Sequence, residues 1–407
     1  MELDLEFVRA QFPAFEERSL KGQAFFENAG GSYACAPVVD RLTRFYRERK
    51  VQPYGVFDAS RVGGEEMDSA RIRLAAMLGV APDEVSFGPS TTQNVYVLAQ
   101  AFRQYLNAGD AIVVTNQDHE ANSGAWRRLA DEGIEIREWQ IDPDTGHLDP
   151  ADLGALLDER VRLLVFPHCS NIVGEINDVK AICSIAQDAG VFTCVDGVSY
   201  APHGLPDVGD LGADIYLFSA YKTYGPHQGV MAIRGDVGMS LPAQGHWFNA
   251  DVLYQRFTPA GPDHAQVAAM AGVADYFDVL YAHHFSAHDI PSERASAVHD
   301  LMRNHEISLT QPLLDFLKDR PGVRLIGPVD AARRAPTIAL ELDQPGEKAA
   351  AALAPHGIMA GGGDFYGVRP LEALGIDRKK GVLRLSFVHY TSAGEIDRLI
   401  QALDHVL

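Results

Sequence analysis

Val195-Asp196-Gly197, followed further on by Phe218-Ser219-Ala220-Tyr221-Lys222-Thr223-Tyr224-Gly225-Pro226, decides how this chain is read. Each segment closes a short apolar run: Phe192–Val195 ends in Asp196, and Ile215–Phe218 ends in Ser219-Ala220-Tyr221-Lys222. Outward from this pair the same grammar repeats. Strands are expected at Val85–Phe87, Ala111–Thr115, Ile134–Trp139, Leu163–Phe166 and Val230–Ile233, with helices such as Ala121–Asp131 and Asp178–Ala189 between them. Alternation of β and α over this length predicts an α/β fold whose largely parallel sheet is covered on both faces. Ligands gather at the carboxyl ends of such strands.

After about residue 265 the pattern changes. A long helical stretch leads to Thr337–Leu342, a Gly-rich loop, Val382–Ser386 and a terminal helix from Ser392. The expected division is a large domain over 20–265, a connecting helix over 266–284, and a smaller α+β domain from 1–19 and 285–407. The 407 residues, 46% hydrophobic, are enough for one large core and a smaller one. Asp plus Glu number 55 against 35 Lys plus Arg, a formal charge of −20. With no basic cluster, that balance argues against nucleic acid and anionic membrane surfaces as partners. The opening MELDLEFVRAQFPAFEE lacks the basic and apolar regions of a signal peptide, and no run reaches the ~18 apolar residues of a membrane span. Cys35, Cys169, Cys183 and Cys194 form no CxxC, so a reducing cytoplasm is expected.

The residues just after the strands share one chemistry. Val85–Phe87 runs into Gly88-Pro89-Ser90-Thr91-Thr92, Ala111–Thr115 into Asp118-His119-Glu120-Ala121-Asn122, and Leu163–Phe166 into Ser170-Asn171. Pyridoxal 5'-phosphate (PLP) needs hydroxyls and free N–H groups at a helix N-terminus for its phosphate, which Ser90, Thr91 and Thr92 offer. Its ring nitrogen needs a carboxylate, which suits Asp196. Its aldehyde needs a lysine, which suits Lys222. The ring needs a flat partner, which suits His119, and its hydroxyl a polar contact, which suits Asn171. Singly, each has a plainer reading: a helix cap, a solvated lysine, a packed histidine. Together and in this order they favour the cofactor.

These residues also carry a family resemblance. The Asp196 and Lys222 segments resemble the lysine region of class V aminotransferases, specifically the cysteine desulfurase and selenocysteine lyase branch. Asp118–Asn122 with Trp126 resembles its ring-stacking histidine motif. Leu383-Arg384-Leu385-Ser386, with His389-Tyr390-Thr391 and Glu395-Ile396-Asp397, resembles its C-terminal motif. Tyr200–Gly204 and Gly225–His227 look like a "cysteine desulfurase-like" subgroup. The resemblance runs from about Phe25 to the C-terminus. It implies PLP fold-type I and a homodimer with the active site at the subunit interface. It implies Lys222 as Schiff-base lysine, Asp196 as partner of the ring nitrogen and His119 as stacking group. Asn171 would contact the ring hydroxyl, and Thr91, Thr92 and Ser219 the phosphate. Arg384 would grip the substrate α-carboxylate, a bidentate task suited to a planar guanidinium. Asn28 joins Arg384 as a substrate contact, and Gly261 is a further cofactor contact.

Three departures stand out. Ser199 replaces a Gln three residues after the aspartate, and Tyr221 replaces a His before the lysine, still able to reach phosphate through its hydroxyl. Tyr366, in Gly361-Gly362-Gly363-Asp364-Phe365-Tyr366-Gly367, aligns where desulfurases carry their sulfur-accepting cysteine, and no cysteine follows Cys194. A persulfide route needs a thiolate, so Tyr366 is expected instead as a catalytic hydroxyl. Cys35, close to Gly30-Gly31, reads as a small buried residue. The glycines at 30–31 and 361–363 read as turns or a mobile lid, lacking phosphate-loop spacing. His284 and His288, four apart, read as an exposed helix, so no metal is expected. The expected activity is a PLP-dependent reaction on a small α-amino acid, transamination first. β-elimination by a C–S or C–Se lyase, epimerisation, and an inactive scaffold homologue are the alternatives.

Overall fold

A computed structural model describes residues 2–286 and 290–407. Among the described residues the strands, in chain order, are β1 Ala24–Phe25, β2 Val85–Gly88, β3 Ala111–Thr115, β4 Glu135–Trp139, β5 Val161–Pro167, β6 Phe192–Asp196, β7 Ile215–Ser219, β8 Gly229–Ile233, β9 Val323–Leu325, β10 Thr337–Leu342, β11 Ile358–Met359, β12 Gly361–Gly363 and β13 Val382–Ser386. Seven of them form one sheet in the order β2-β8-β7-β6-β5-β3-β4. Only β8 runs antiparallel to its neighbours.

The strands are nearly continuous in apolar residues because both faces are covered. Alternate side chains sort to opposite cores. Ile112, Val114, Leu163, Val165 and Cys194 join Leu98, Phe102 and Trp126 on one face. Val113, Leu164, Phe166 and Val195 join Leu74, Val273 and Phe277 on the other. A second, antiparallel sheet runs β12-β13-β10-β9 and packs Leu340, Leu383 and Leu385 against Leu399 and Leu403 of the terminal helix Ala393–Val406. That helix starts in a capping box between Ser392 and Glu395, as the sequence suggested. The chain's beginning is tied to this sheet: β1 pairs with β11, and the Asn28 N–H donates to the Ser386 carbonyl at 3.2 Å.

Several expectations shift. The helix expected over Ala121–Asp131 spans Glu120–Arg127 and tightens into a 3-10 turn to Glu132, ended by Gly133 at φ 83°. The segment 266–284 is two helices, His264–Ala269 and Ala271–His284. The short strands β1, β9 and β11 carry no sequence pattern of their own. The Gly361–Gly363 run, expected as a turn or lid, is edge strand β12, paired with β13. Its reason is steric: a Cβ on Gly362 would lie 2.1 Å from the Gly346 backbone, so only glycine lets the helix Gly346–Leu353 approach. His283 stacks on Phe7 at 3.7 Å and meets Asp4, whose N–H also donates to His284. His288 lies outside the described residues. No described helix is long and apolar enough to cross a membrane.

Gly229, at the start of β8, faces the turn that begins the helix Thr91–Tyr105. A Cβ there would come within 2.3 Å of the Ser90 carbonyl carbon and 2.5 Å of the Thr91 nitrogen. Gly229→Ala is therefore expected to destabilise the protein by about 1–3 kcal/mol through overpacking. It should also weaken retention of PLP, because the displaced atoms are those of Ser90 and Thr91. Thermal unfolding with and without added PLP checks this; unchanged unfolding and cofactor retention would show that the turn moves freely.

Candidate active site

Lys222 ends a 3-10 turn, Ala220–Lys222, directly after β7. It is only 8% exposed, and its amine makes no hydrogen bond or ion pair to any described residue. Burial pushes its pKa down to about 8, helped by the Arg384 charge and opposed by Asp196 and Glu27. Asp196 ends the neighbouring strand β6. Burial lifts its carboxyl to about 6, against the Val198 N–H, which donates at 2.8 Å, and the attraction of Lys222.

The turn after β2 lies beside them. Ser90 caps the helix Thr91–Tyr105 by accepting from the Gln93 N–H, and the Thr91 and Ser219 hydroxyls are 2.8 Å apart, joining this turn to the end of β7. Thr92 faces the open cavity. His119 caps the helix Glu120–Arg127: its Nδ1 accepts from the Ala121 N–H at 3.0 Å. Burial and the charges of Lys222 and Arg384 drop its pKa to about 3. The imidazole is thus neutral, with its proton on Nε2.

Lys222, His119, Thr92, Asn171, Tyr221, Tyr366 and Arg384 all line one cavity of about 450 Å³. Asn171 donates through Nδ2 to the Phe365 carbonyl at 3.0 Å, while its Oδ1 is buried without a partner. Tyr221 is stacked on His227 at 4.7 Å. Tyr366 is 72% exposed at the mouth, its ring 5.6 Å from that of His119. Ser199 and Asn28 meet Lys222 from behind, around a separate cavity of about 10 Å³. Asn28 is held there by the Tyr390 hydroxyl. Gly261 is not brought to Lys222 within this chain; it lines another cavity with Tyr54 and His264.

Three neighbours were not singled out from sequence. Glu27 accepts from Arg384 Nη2 at 2.6 Å, so the arginine expected to wait for substrate already holds a carboxylate. Phe365 lies over the same guanidinium at 3.7 Å, in a strained left-handed pair with Tyr366 (φ 50° and 55°). Asp118 is buried near Asp196, its pKa well above the usual carboxylate range through burial and that second charge; Asn122 donates to it at 3.1 Å. Asp118 and Phe365 fall within stretches quoted from the sequence, where only His119 and Tyr366 were given roles; Glu27 lies just before Asn28-Ala29-Gly30-Gly31. All four thiols are buried, and burial pushes that of Cys35 up to about 12 while it donates to the Gly272 carbonyl.

Family membership makes this chain an enzyme of a PLP-dependent class, transferase or lyase. The class V aminotransferase model matches residues 24–288 and 294–399, and the chain belongs to that family. It is 33% identical to an aminotransferase-like protein, FGM3, of Gibberella zeae over 99% of this chain and 98% of that protein. It is 28% identical to a cysteine desulfurase of Pectobacterium carotovorum over 100% and 98% of the two chains. In fold it matches the apo structure of a cysteine desulfurase from Thermococcus onnurineus, with a TM-score of 0.85 at 23% identity, covering 100% and 98%. The PLP fold-type I architecture expected from sequence is therefore the one found.

The residues fit PLP on their own chemistry. A lysine amine that faces the cavity without a hydrogen bond or ion pair, an unpartnered amide oxygen on Asn171 and a helix N-terminus beside the same cavity are groups that await a ligand. The burial of Lys222 also has a sign in stability. Its amine titrates near 8 when folded and near 10.5 when unfolded, so the charged form is disfavoured by about 3 kcal/mol, fully below pH 8. That deficit fades as pH rises from 8 to 10.5. Lys222→Met, freed of cofactor, should unfold at a higher temperature than cofactor-free wild type at pH 7, with the gap closing by pH 10.5. An equal gap at both pH values would show that Lys222 is not charged and buried.

Proposed function

We propose that this protein catalyses a PLP-dependent, aminotransferase-type reaction on a small α-amino acid, with Lys222 as the residue that bonds to the cofactor. The observation that carries this reading is Lys222, largely buried and without a hydrogen bond or ion pair, in one cavity with His119, Asn171 and Arg384. PLP, when bound, supplies an electron-poor ring that makes the substrate α-carbon acidic. Asp196 is the carboxylate that would keep the ring nitrogen protonated, and Ser90, Thr91, Thr92, Ser219 and Tyr221 would hold the phosphate. Arg384 seats the substrate carboxylate. Lys222 Nζ, with a pKa near 8, is poised to take a proton from the substrate and return it near neutral pH. His119, neutral, would offer its ring to the cofactor without adding charge. Tyr366, at the mouth, donates its hydroxyl proton or a hydrogen bond to the reacting substrate.

In the same reading the protein is a homodimer of the cytoplasm, and Gly261 serves the partner's cofactor. The exposed Trp247, Phe248, Val56 and Phe57 supply apolar surface for such an interface.

Transamination is favoured over cysteine desulfuration because Tyr366 stands where a sulfur acceptor would, and a phenol cannot carry a persulfide. Incubation with cysteine, without reductant, should leave the protein's mass unchanged. Other amino acids should yield the matching 2-oxo acid and leave the cofactor in its amine form. Tyr366→Phe should slow turnover more than it weakens binding. One added sulfur on any thiol, coupled to alanine release, would overturn the assignment in favour of a desulfurase.

A further inference from the structure

The small cavity behind Lys222 has a polar wall of its own. Lys222, Ser199, His203 and Thr337 all line it, and its volume of about 10 Å³ leaves room for one water molecule. Each of the four has a polar atom that makes no hydrogen bond to any described residue: Lys222 Nζ, Ser199 Oγ, His203 Nε2 and Thr337 Oγ1. None of these atoms is fully enclosed by protein. A water needs two to four polar partners, and four are offered here.

His203 is firmly held. It lies in the Tyr200–Gly204 turn after β6, against the helix Pro291–Leu317, which carries His299, Arg303 and Glu306 three and four residues apart. His203 Nδ1 is 3.0 and 3.1 Å from the two Glu306 oxygens, and Arg303 Nη1 donates to the same carboxylate at 3.2 Å. Glu306 is fully buried. Burial alone would raise its pKa, but His203, Arg303 and His389 outweigh that and hold it below the usual carboxylate value. A carboxylate only accepts, so in the neutral His203 ring the proton sits on Nδ1 and Nε2 is an acceptor. The turn itself is pinned. The Pro202 carbonyl accepts from the Tyr224 hydroxyl, the Tyr200 hydroxyl is 2.9 Å from His299 Nε2, and a Cβ on Gly204 would come within 2.7 Å of the His299 Cα.

We propose that His203, fixed by Glu306, is a positioning residue for Lys222, and that the small cavity is the site of a single water joining Lys222 Nζ to His203 Nε2. The Lys222 ammonium donates to the water, and the water donates to Nε2. Once Lys222 has taken the substrate proton, this chain supports its charge from the side away from the substrate. Passing the proton on needs no further reactant. An N–H bond of Lys222 breaks as a water O–H bond forms, and the water's other O–H bond breaks as the bond to Nε2 forms. The imidazolium is then paired with Glu306, and the reverse transfer restores Lys222. This inference rests on the reading of Lys222 as proton carrier and extends it to residues outside the cofactor cavity.

Two measurements test it. Crystal structures of the PLP-loaded and the cofactor-free protein should both show one water within hydrogen-bond distance of His203 Nε2, and in the cofactor-free protein that water should also reach Lys222 Nζ. The second measurement is the pKa of the Lys222 amine in the cofactor-free protein, read from the pH dependence of its acetylation by acetic anhydride with mass spectrometry of the peptide. Lys222 also feels Arg384, Asp196, Glu27 and His119, and His203 feels Glu306, Arg303 and His389; a substitution at 203 leaves all of these in place. An acceptor favours the charged amine, so its loss lowers the pKa. His203→Leu should lower it by about one unit, the effect of one charge-assisted hydrogen bond. His203→Gln, which keeps an acceptor, should recover most of that shift, whereas a merely structural role for His203 would leave the Lys222 pKa unmoved. If neither variant folds, the wild-type crystal structures decide. A cavity without a water in reach of Nε2, or an unchanged Lys222 pKa in His203→Leu, would overturn the inference. Neither measurement uses a substrate, so either can fail while Lys222 remains the cofactor lysine; a borohydride-fixed cofactor on another lysine would instead remove the underlying reading.

Discussion

A largely buried lysine at the end of a central strand, its amine facing a cavity without a hydrogen bond or ion pair, is the constraint around which this molecule is arranged. Burying a charge without a partner is costly. The chain tolerates it because the opposing charges of Asp196 and Glu27 offset part of the cost, and because the amine's lowered pKa reduces how long it stays charged. The seven-stranded sheet makes this possible. Its parallel strands β6 and β7 end together, so residues distant in sequence, Asp196 and Lys222, open into one region without any contact designed between their loops. The rigidity comes from the two cores that clamp the sheet on both faces, to which the strands contribute alternate side chains.

The second sheet has a different task. It carries Arg384 on β13 and brings the chain's beginning, with Glu27 and Asn28, against it. Gly361–Gly363 forms the other flank of β13, and the absence of side chains on that strand lets Glu27 and the helix Gly346–Leu353 come close. The two sheets thus divide the labour. The large one fixes the amine and the groups suited to a cofactor, and the small one fixes the Arg384–Glu27 ion pair beside them. Where they face each other, Asn171 of the large sheet holds the Phe365 carbonyl, and Phe365 rests on Arg384. One loop, strained at Phe365 and Tyr366, therefore touches both halves of the site.

Much of this was legible in the sequence, for reasons that are physical. Strands buried on both faces must be apolar throughout, so β2, β3, β5, β6, β7 and β8 stood out, and the polar exits of β2, β3, β5, β6 and β7 marked Thr91, His119, Asn171, Asp196 and Lys222. Of these, His119, Asn171 and Lys222 line one cavity. What was hidden depends on tertiary contact alone. Three consecutive glycines read as a loop, because nothing local says that a helix must pack on their backbone. The strands β1 and β9 are too short to carry a period. Glu27 has the composition of any surface acid until β13 places Arg384 beside it. Gly261 shows the reverse: a residue chosen by resemblance that a single chain leaves beside Tyr54, away from Lys222.

The claim on which everything rests is that Lys222, among all the lysines, bonds to the cofactor. It is tested most directly by reducing the PLP-loaded protein with borohydride, digesting it and locating the modified peptide by mass spectrometry. The account predicts one phosphopyridoxyl group, on Lys222, and none at any site in Lys222→Ala. The same label on another lysine, or labelling that persists in Lys222→Ala, would contradict it.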